Sequence, residues 1–578
     1  LNAHELNQAL SVKSAIENGK IMKIIITCSA VLLSILFSGA ALAEIRVTFD
    51  WFEYEGKDAV FETPLPDGSF YNPVIAGFHP DPSMVRVGDD YYLVTSSFAY
   101  FPGLPIFHST DLVSWKQIGH ALTRRSQLRL ENGQGISRGI FAPTLRFHDG
   151  LFYIITTDVD GIGNFYITAE DPAGPWSDPV LLPEIQGIDP DLFFDDDGRV
   201  YIAHNGEPEG RALYQGHRAI WLWEYDLANR RVLKDSGRVI VNGGVDLTKQ
   251  PIWIEAPHIF RYQGWYYLSC AEGGTADQHS QVIFRTRELD EPFVPYDKNP
   301  ILTQRDLDPD RPNPITSTGH ADMVQTVEGD WWAVFLGIRP YEREYHNTGR
   351  ETFLLPVRWQ DGWPVILDAG TEVPYRVPRP STGASDPSAP PQSGNFTWRD
   401  EFDAPELKPD WSRIRTSERE WFSIDAGAGV LELEALPVSL QEKTQPAYLG
   451  RVQQHLEFVA STRMELPRTD GVTAGLVAFQ SSDFHYFLGV HRSAGSYEIF
   501  LREVRAGSEK VVARASFTSS DPWIVLGLDQ EKAQLSFFYQ LSSSESQVLI
   551  SGVDARLLST QVAGGFVGTT LGLHASSE

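Results

Sequence analysis

The sequence predicts an all-β protein, a five-bladed β-propeller followed by a β-sandwich. Three observations carry this reading. One degenerate motif occurs five times between residues 81 and 335, alternating apolar segments run through both halves of the chain, and no long amphipathic helix interrupts them. A Pro/Ser/Gly-rich stretch, residues 381–395 (STGASDPSAPPQSGN), reads as the linker between the two halves.

Taken in order, the chain opens with residues 1–21, whose place in the natural protein stays open. Met22 and Lys23 then lead an apolar run, residues 24–37, that ends in Ser38-Gly39-Ala40-Ala41-Leu42-Ala43. A charged start, a short apolar stretch and an Ala-x-Ala exit predict a secretory signal cleaved after Ala43, hence a secreted or periplasmic protein. The run falls short of the about 20 residues a membrane helix needs. Cys28 lies inside this signal, so the mature chain keeps Cys270 alone and forms no intrachain disulfide. Cys270, in the apolar strand WYYLSC, reads as a buried spectator. A formal net charge of −28 argues against a nucleic-acid partner, because phosphate binding needs a clustered positive surface. With 15 Trp, 21 Tyr and 32 Phe, the chain points to a soluble partner that is neutral or apolar-faced.

The five copies read DPSMVRVGDDYYLV from Asp81, APTLRFHDGLFYII from Ala142, DPDLFFDDDGRVYIA from Asp189, APHIFRYQGWYYLS from Ala256 and HADMVQTVEGDWWAVF from His320. Each has a leading residue, an apolar strand, a turn and a second strand that starts on bulky residues. Gly88-Asp89-Asp90, Asp149-Gly150 and Asp197-Gly198 suit tight hairpins, since Gly and Asp accept positive φ. The copies begin about 47 to 67 residues apart, room for a four-stranded sheet each, and five such sheets around an axis make a propeller. An ordinary sandwich with similar hairpins is the alternative.

In a propeller the leading positions of the inner strands converge on the axis. Those positions, or the residue one step before, are Asp81, Phe141, Asp189, Glu255 and His320, so three acids, an aromatic ring and an imidazole meet at one mouth. Glycosidic cleavage with inversion needs one carboxylic acid for the leaving oxygen and one carboxylate to activate water, about 6.5–9.5 Å apart. A third carboxylate nearby raises the acid's pKa by like-charge repulsion. Taken singly, each residue also has a structural reading: Asp before Pro initiates turns, Glu255 can be a rim residue, Arg350 an ion-pair partner and Phe98 a core aromatic. The DDDG of residues 195–198 reads as a hairpin turn, because the spaced ligands of an EF-hand are missing.

The segments HPDPSMVRVGDDYYLVTSSFAYFPG, GIDPDLFFDDDGRVYIAHN, IEAPHIFRYQGWYYLSCAEGGT, STGHADMVQT and NTGRETFLLPVRW resemble glycoside hydrolase family 43, from about Tyr71 to the end. They are most similar to β-xylosidase and α-L-arabinofuranosidase members that carry a C-terminal concanavalin-A-like β-sandwich. The resemblance implies Asp81 as general base, Glu255 as general acid and Asp189 as the residue that orients the acid and tunes its pKa. It implies Arg350 as a hydrogen-bond donor to the terminal sugar and Phe98 as a packing surface for that sugar. His320 matches the family's axial histidine, which contacts water or, in some members, a structural calcium ion in the channel. Imidazole is a poor ligand for so hard a cation, and waters must then complete its shell. No other cofactor is implied. Two departures stand out: EAPH where many members have EGPH, and Phe141 in GIFAP where many have Trp, which removes an indole N–H.

The implied activity is exo-acting inverting release of xylose or arabinofuranose from xylo-oligosaccharides or arabinoxylan. A non-catalytic sugar-binding propeller and a retaining fructan-type five-bladed hydrolase are the alternatives. The expected organisation is a strand segment at residues 44–65, the propeller at 66–380, the linker at 381–395 and the sandwich at 396–578. Family members with this sandwich often finish on a strand like FDWFEY; here that string stands in residues 47–56 (VTFDWFEYEG), which predicts that this segment crosses back to cover an open edge of the sandwich.

Overall fold

The computed structural model describes residues 45–130, 133–541 and 544–577. The signal at residues 22–43 and the preceding 21 residues lie outside them. No helix among the described residues is long and apolar enough to cross a membrane.

Residues 83–365 form five antiparallel sheets, each following the chain outward from an inner strand. The inner strands are Ser83–Val87, Thr144–His148, Ile188–Phe194, Glu255–Tyr262 and Thr316–Gln325, and they define blades 1 to 5. This is a five-bladed β-propeller. Its hairpins use the turns read from the sequence: Asp149 and Gly150 both have positive φ (48° and 82°), the twist a two-residue hairpin requires. At residues 195–198, Asp195 N donates to Arg199 O and Gly198 N to Asp195 O, so this acidic run is a hairpin turn.

The bulky pair that opens the second strand of several repeats has a packing reason. Successive strand residues face opposite sides of a sheet, so one ring of each pair enters each of the two cores flanking a blade. Phe152 packs between blades 1 and 2 while Tyr153 packs between blades 2 and 3. Tyr266 joins the core between blades 3 and 4, and Tyr267 the core that runs on through blade 5 into blade 1. Ring closure comes from residues ahead of blade 1. Ser69–Tyr71 pairs with Arg376–Pro378, Ile75 bridges Thr352, and the Asn72 amide exchanges two 2.9 Å hydrogen bonds with the Leu354 backbone.

The C-terminal part is a sandwich whose two sheets each contain eight strands among the described residues. Strand Arg46–Gly56 belongs to the first sheet, but not at an edge. It lies inside, with Val430–Glu434 and Thr397–Asp400 on one side and Glu457–Glu465 on the other. The expectation of an edge cover is corrected accordingly: alternation marks the segment as a strand, but the order of strands depends on long-range pairing. Phe49, Phe52 and Tyr54 are fully buried in the sandwich core. The second sheet ends on Tyr100–Phe101, a short strand of the propeller that pairs with Ser412–Ile414. Residues 381–395 are held rather than free: Ser393 Oγ reaches the carbonyls of Tyr71 and Pro73, Asn395 Nδ2 that of Asp58, and Tyr91 hydrogen-bonds Thr382.

Arg339, on the loop side of blade 5, is completely buried. Its Nε and Nη2 form a fork on Glu351 at 2.7 and 2.9 Å, Nη1 meets Asp58 at 2.7 Å, and Nη2 also donates to Gln454 O at 2.8 Å. One side chain thus joins the segment after the first strand, the propeller and the sandwich. Arg339→Met leaves two carboxylates buried without their cation and is expected to destabilise the protein by about 3–5 kcal/mol in denaturant unfolding. Deleting residues 44–56 withdraws three buried aromatic rings, each worth about 3 kcal/mol or more, so the melting temperature is expected to fall by at least about 10 °C; an unchanged melting curve refutes the strand's structural role.

Candidate active site

The inner strands deliver the polar residues through backbone irregularities at their starts. Asp81, Asp189 and His320 have φ of 56°, 54° and 52°, in the left-handed region, and Ala256 has 51°. Strand register breaks between Ile188 and Asp191, between Glu255 and His258, and between Gly319 and Asp322. Such bulges re-aim a side chain out of the sheet toward the axis. In blades 1, 3 and 5 the left-handed residue itself is the polar one. In blade 4 that position is Ala256, and the preceding Glu255 faces the site; in blade 2, Phe141 likewise stands one step ahead of Ala142.

Asp81, Phe98, Phe141, Asp189, Glu255, His320 and Arg350 all line one small pocket of about 70 Å³. Every site residue expected from the sequence is therefore brought together. Asp81 is held from three sides: Arg350 Nη1 at 2.8 Å and His320 Nδ1 at 3.6 Å approach Oδ1, and Ser96 Oγ donates to Oδ2 at 2.5 Å. Asp189 Oδ2 accepts from Ala256 N at 3.3 Å, which places it one peptide from Glu255.

The three carboxyls ionise differently. Burial opposes the charge on Asp81, but the Arg350 guanidinium, with smaller help from His320 and Ser96, holds it below its ordinary range. Burial and then the Asp81 charge push Asp189 up to about 7. Glu255 is raised well above its ordinary value by burial first, then by Asp189 and Asp81. At neutral pH the site therefore combines one firmly ionised carboxylate with a pair that retains a proton.

Phe566, which the sequence reading missed, completes the wall from the sandwich. Its ring lies 6.0 Å from both Phe98 and Phe141, nearly parallel to the former and edge-on to the latter. The Arg350 guanidinium sits 5.9 and 5.7 Å from the Phe98 and Phe566 centroids. The loop reaches the site because Gly349 and Gly568 allow the two backbones to meet: a Cβ on either would fall 2.9 Å from the other's backbone. A lone Phe set among glycines in GGFVG, just before the last strand, was the available signal. Phe98 is fixed from the sandwich too, since Arg415 N donates to Ala99 O and the next two residues form the shared strand.

A second polar layer underlies the pocket, two positions further along each inner strand: Ser83, Thr144, Asp191, His258 and Asp322. Arg146 spans it, 2.9 Å from Asp191 and 3.0 Å from Asp322, while Ser83 Oγ donates to Asp322 at 2.7 Å and Asp191 accepts from Ile259 N at 2.9 Å. These bonds tie the inner strands together beneath the carboxyls, three of them between neighbouring blades and Arg146–Asp322 across blade 1. His320 is held neutral, its pKa lowered to about 3 chiefly by burial. Among the described residues no group of three or more His, Cys, Asp or Glu side chains could hold a metal ion. The carboxylate nearest His320 is already paired with Arg350, so the side chains here do not form a calcium cage. Cys270 is buried and free, its thiol pushed up by burial.

Residues 70–364 match the model of glycosyl hydrolases family 43, and residues 399–578 match that of the beta-xylosidase C-terminal concanavalin A-like domain. A xylosidase/arabinosidase of Butyrivibrio fibrisolvens is 39% identical over 88% of this chain and 96% of its own length. A non-reducing end α-L-arabinofuranosidase of Bacteroides ovatus is 34% identical over 89% and 92%. The crystal structure of a GH43_12 protein retrieved from capybara gut metagenome superposes with a TM-score of 0.86 at 38% identity, covering 92% of this chain and 99% of that one. The extent of these matches, over a propeller and sandwich with the three carboxyls in one pocket, means that the chain belongs to glycosyl hydrolases family 43.

Proposed function

We propose that this glycoside hydrolase removes single pentose units, xylose or arabinofuranose, from the non-reducing ends of xylo-oligosaccharides or arabinoxylan, with inversion. The observation that carries the reading is the divergent ionisation of three carboxyls around one pocket. Glu255, protonated, gives its proton to the glycosidic oxygen as the bond to the anomeric carbon breaks. Asp81, ionised on Arg350, takes a proton from the water whose oxygen bonds to that carbon. Asp189 keeps the Glu255 proton in place through its charge and, by its bond to Ala256 N, fixes the adjoining peptide. Proton exchange with solvent then restores both groups. A pocket walled by Phe98, Arg350 and Phe566 suits one terminal sugar, hence exo action, and the relatives' names support a pentose. A binding-only propeller has no use for such a split in acidity.

Export from the cytoplasm belongs to the same reading and rests on residues 22–43. The intact mass of the exported protein is expected to place its amino terminus at Glu44.

Glu255→Ala is expected to lower kcat on xylobiose or an aryl pentoside by about 10²–10⁴-fold; wild-type turnover refutes the catalytic assignment. The first anomer seen by proton NMR is expected to be inverted, and a retained one would make Asp81 a nucleophile instead. The rate should hold through mildly acidic pH, where Asp81 is charged and the Asp189–Glu255 pair holds its proton. It should fall at higher pH, as the proton leaves Glu255, whose carboxyl burial and the Asp189 and Asp81 charges hold well above its ordinary range. Arg350→Met removes the cation that keeps Asp81 ionised, so the acid limb of kcat/KM should move to higher pH; an unmoved limb would separate Arg350 from the control of Asp81.

A further inference from the structure

We propose that Trp253 is the platform for the sugar on the leaving-group side of the scissile bond, and that this sugar is a pyranose presenting its apolar C–H face. The inference rests on the reading of Glu255 as the acid. A general acid must stand within hydrogen-bond reach of the glycosidic oxygen, so the departing sugar passes out beyond the Glu255 carboxyl. Trp253 precedes Glu255 by two residues on that rim. Its indole lies against Gly274, 3.5 Å from where a Cβ would stand, and the next residue, Thr275, lines the pocket.

Trp253 is 37% exposed, and no other Trp or Phe among the described residues is as open to solvent. It belongs to none of the buried apolar clusters of the described residues. Its neighbour Ile252 is 38% exposed, and Leu213, in the loop that packs on Ile252 through Gly216, is 68% exposed. The Arg218 guanidinium sits 4.4 Å from the indole centroid and is itself anchored on Glu207 and the His217 carbonyl. The Trp253 backbone has φ of 54°, an uncommon conformation for a bulky residue. It is fixed by Trp253 N donating to Gly216 O and Gly273 N to Ile252 O, both at 2.9 Å. The indole packs on Arg218 and on the glycine-flanked loops, yet more than a third of it stays open to solvent beside the sugar pocket. The Arg218 guanidinium lies over one face of the indole, and an apolar sugar face rimmed by hydroxyls matches the other.

The test compares kcat/KM for xylotriose with that for the matching xylosyl fluoride, whose leaving group is a single atom. In Trp253→Ala the ratio of the two is expected to fall about tenfold, mainly through a higher KM for xylotriose. Trp253→Phe should restore most of it. Trp253→Leu, which keeps bulk without an aromatic face, should behave as the alanine variant does and stands in for it should that variant lose stability. An unchanged ratio in both the Ala and Leu variants overturns the platform and leaves the pentosidase reading intact. A wild-type protein that cleaves neither substrate overturns that reading and the platform with it.

Discussion

The buried fork between Arg339 and Glu351 is the interaction on which the site's geometry rests. A guanidinium with no exposure must find partners for its donors inside the protein, and Arg339 uses Nε and both Nη atoms on Glu351, Asp58 and Gln454. Glu351 is in turn the acceptor for Gly77 N at 2.7 Å and Thr348 Oγ1 at 3.1 Å. Gly77 lies four residues before Asp81, and Glu351 directly follows Arg350. Two further bonds run between the same segments: His79 N donates to Arg350 O, and Thr352 Oγ1 to His79 O. The relative position of the Asp81 carboxylate and the Arg350 guanidinium is therefore fixed by a charge network that also requires the sandwich and the first strand to be docked. The sandwich is part of the active site's framework as well as its wall.

That framework explains why the three carboxyls behave differently despite equal burial. One cation is present at the floor, and it contacts Asp81 alone. Asp189 and Glu255 face the Asp81 charge with only weaker compensation from Arg350, so burial and repulsion act on them in the same direction. Which carboxyl stays ionised is thus a matter of which residue touches the arginine, not of residue type.

Much of this was legible in the sequence, and the parts that were not share a cause. The fivefold motif, its hairpins and the convergence of Asp81, Phe141, Asp189, Glu255 and His320 follow from local pattern, because blades are built from contiguous chain and repeat at a fixed topology. Phe98 and Arg350 needed the family resemblance, since neither leads a repeat. Phe566 comes from a different sheet system about 310 residues after Glu255, and nothing local says which loop of the sandwich meets the pocket. Residues 47–56 were recognisable as a strand from their aromatics, yet their place inside the sheet depends on partners at residues 397–400 and 457–465. The axial layer of Ser83, Asp191, His258 and Asp322 stands inside the motifs, but nothing local says that these residues meet until the strands are set side by side.

The propeller's symmetry also has to be broken for the chemistry to work. Five acids at five equivalent positions would repel one another, and most would take up protons rather than act. The chain places carboxyls in blades 1 and 3 on the left-handed residue itself, and in blade 4 one residue earlier, so the third carboxyl projects from a different point of its strand. Blades 2 and 5 contribute uncharged rings, Phe141 and a His320 kept neutral by burial. With Asp81 matched by Arg350 and one proton retained by Asp189 and Glu255, the resting site carries a single uncompensated negative charge. A fourth carboxyl at position 320 would stand beside Asp81 and compete for Arg350, and the one firmly ionised carboxylate could no longer be distinguished from its neighbours. A neutral imidazole fills the same space, faces the same carboxylate at 3.6 Å, and leaves that distinction in place.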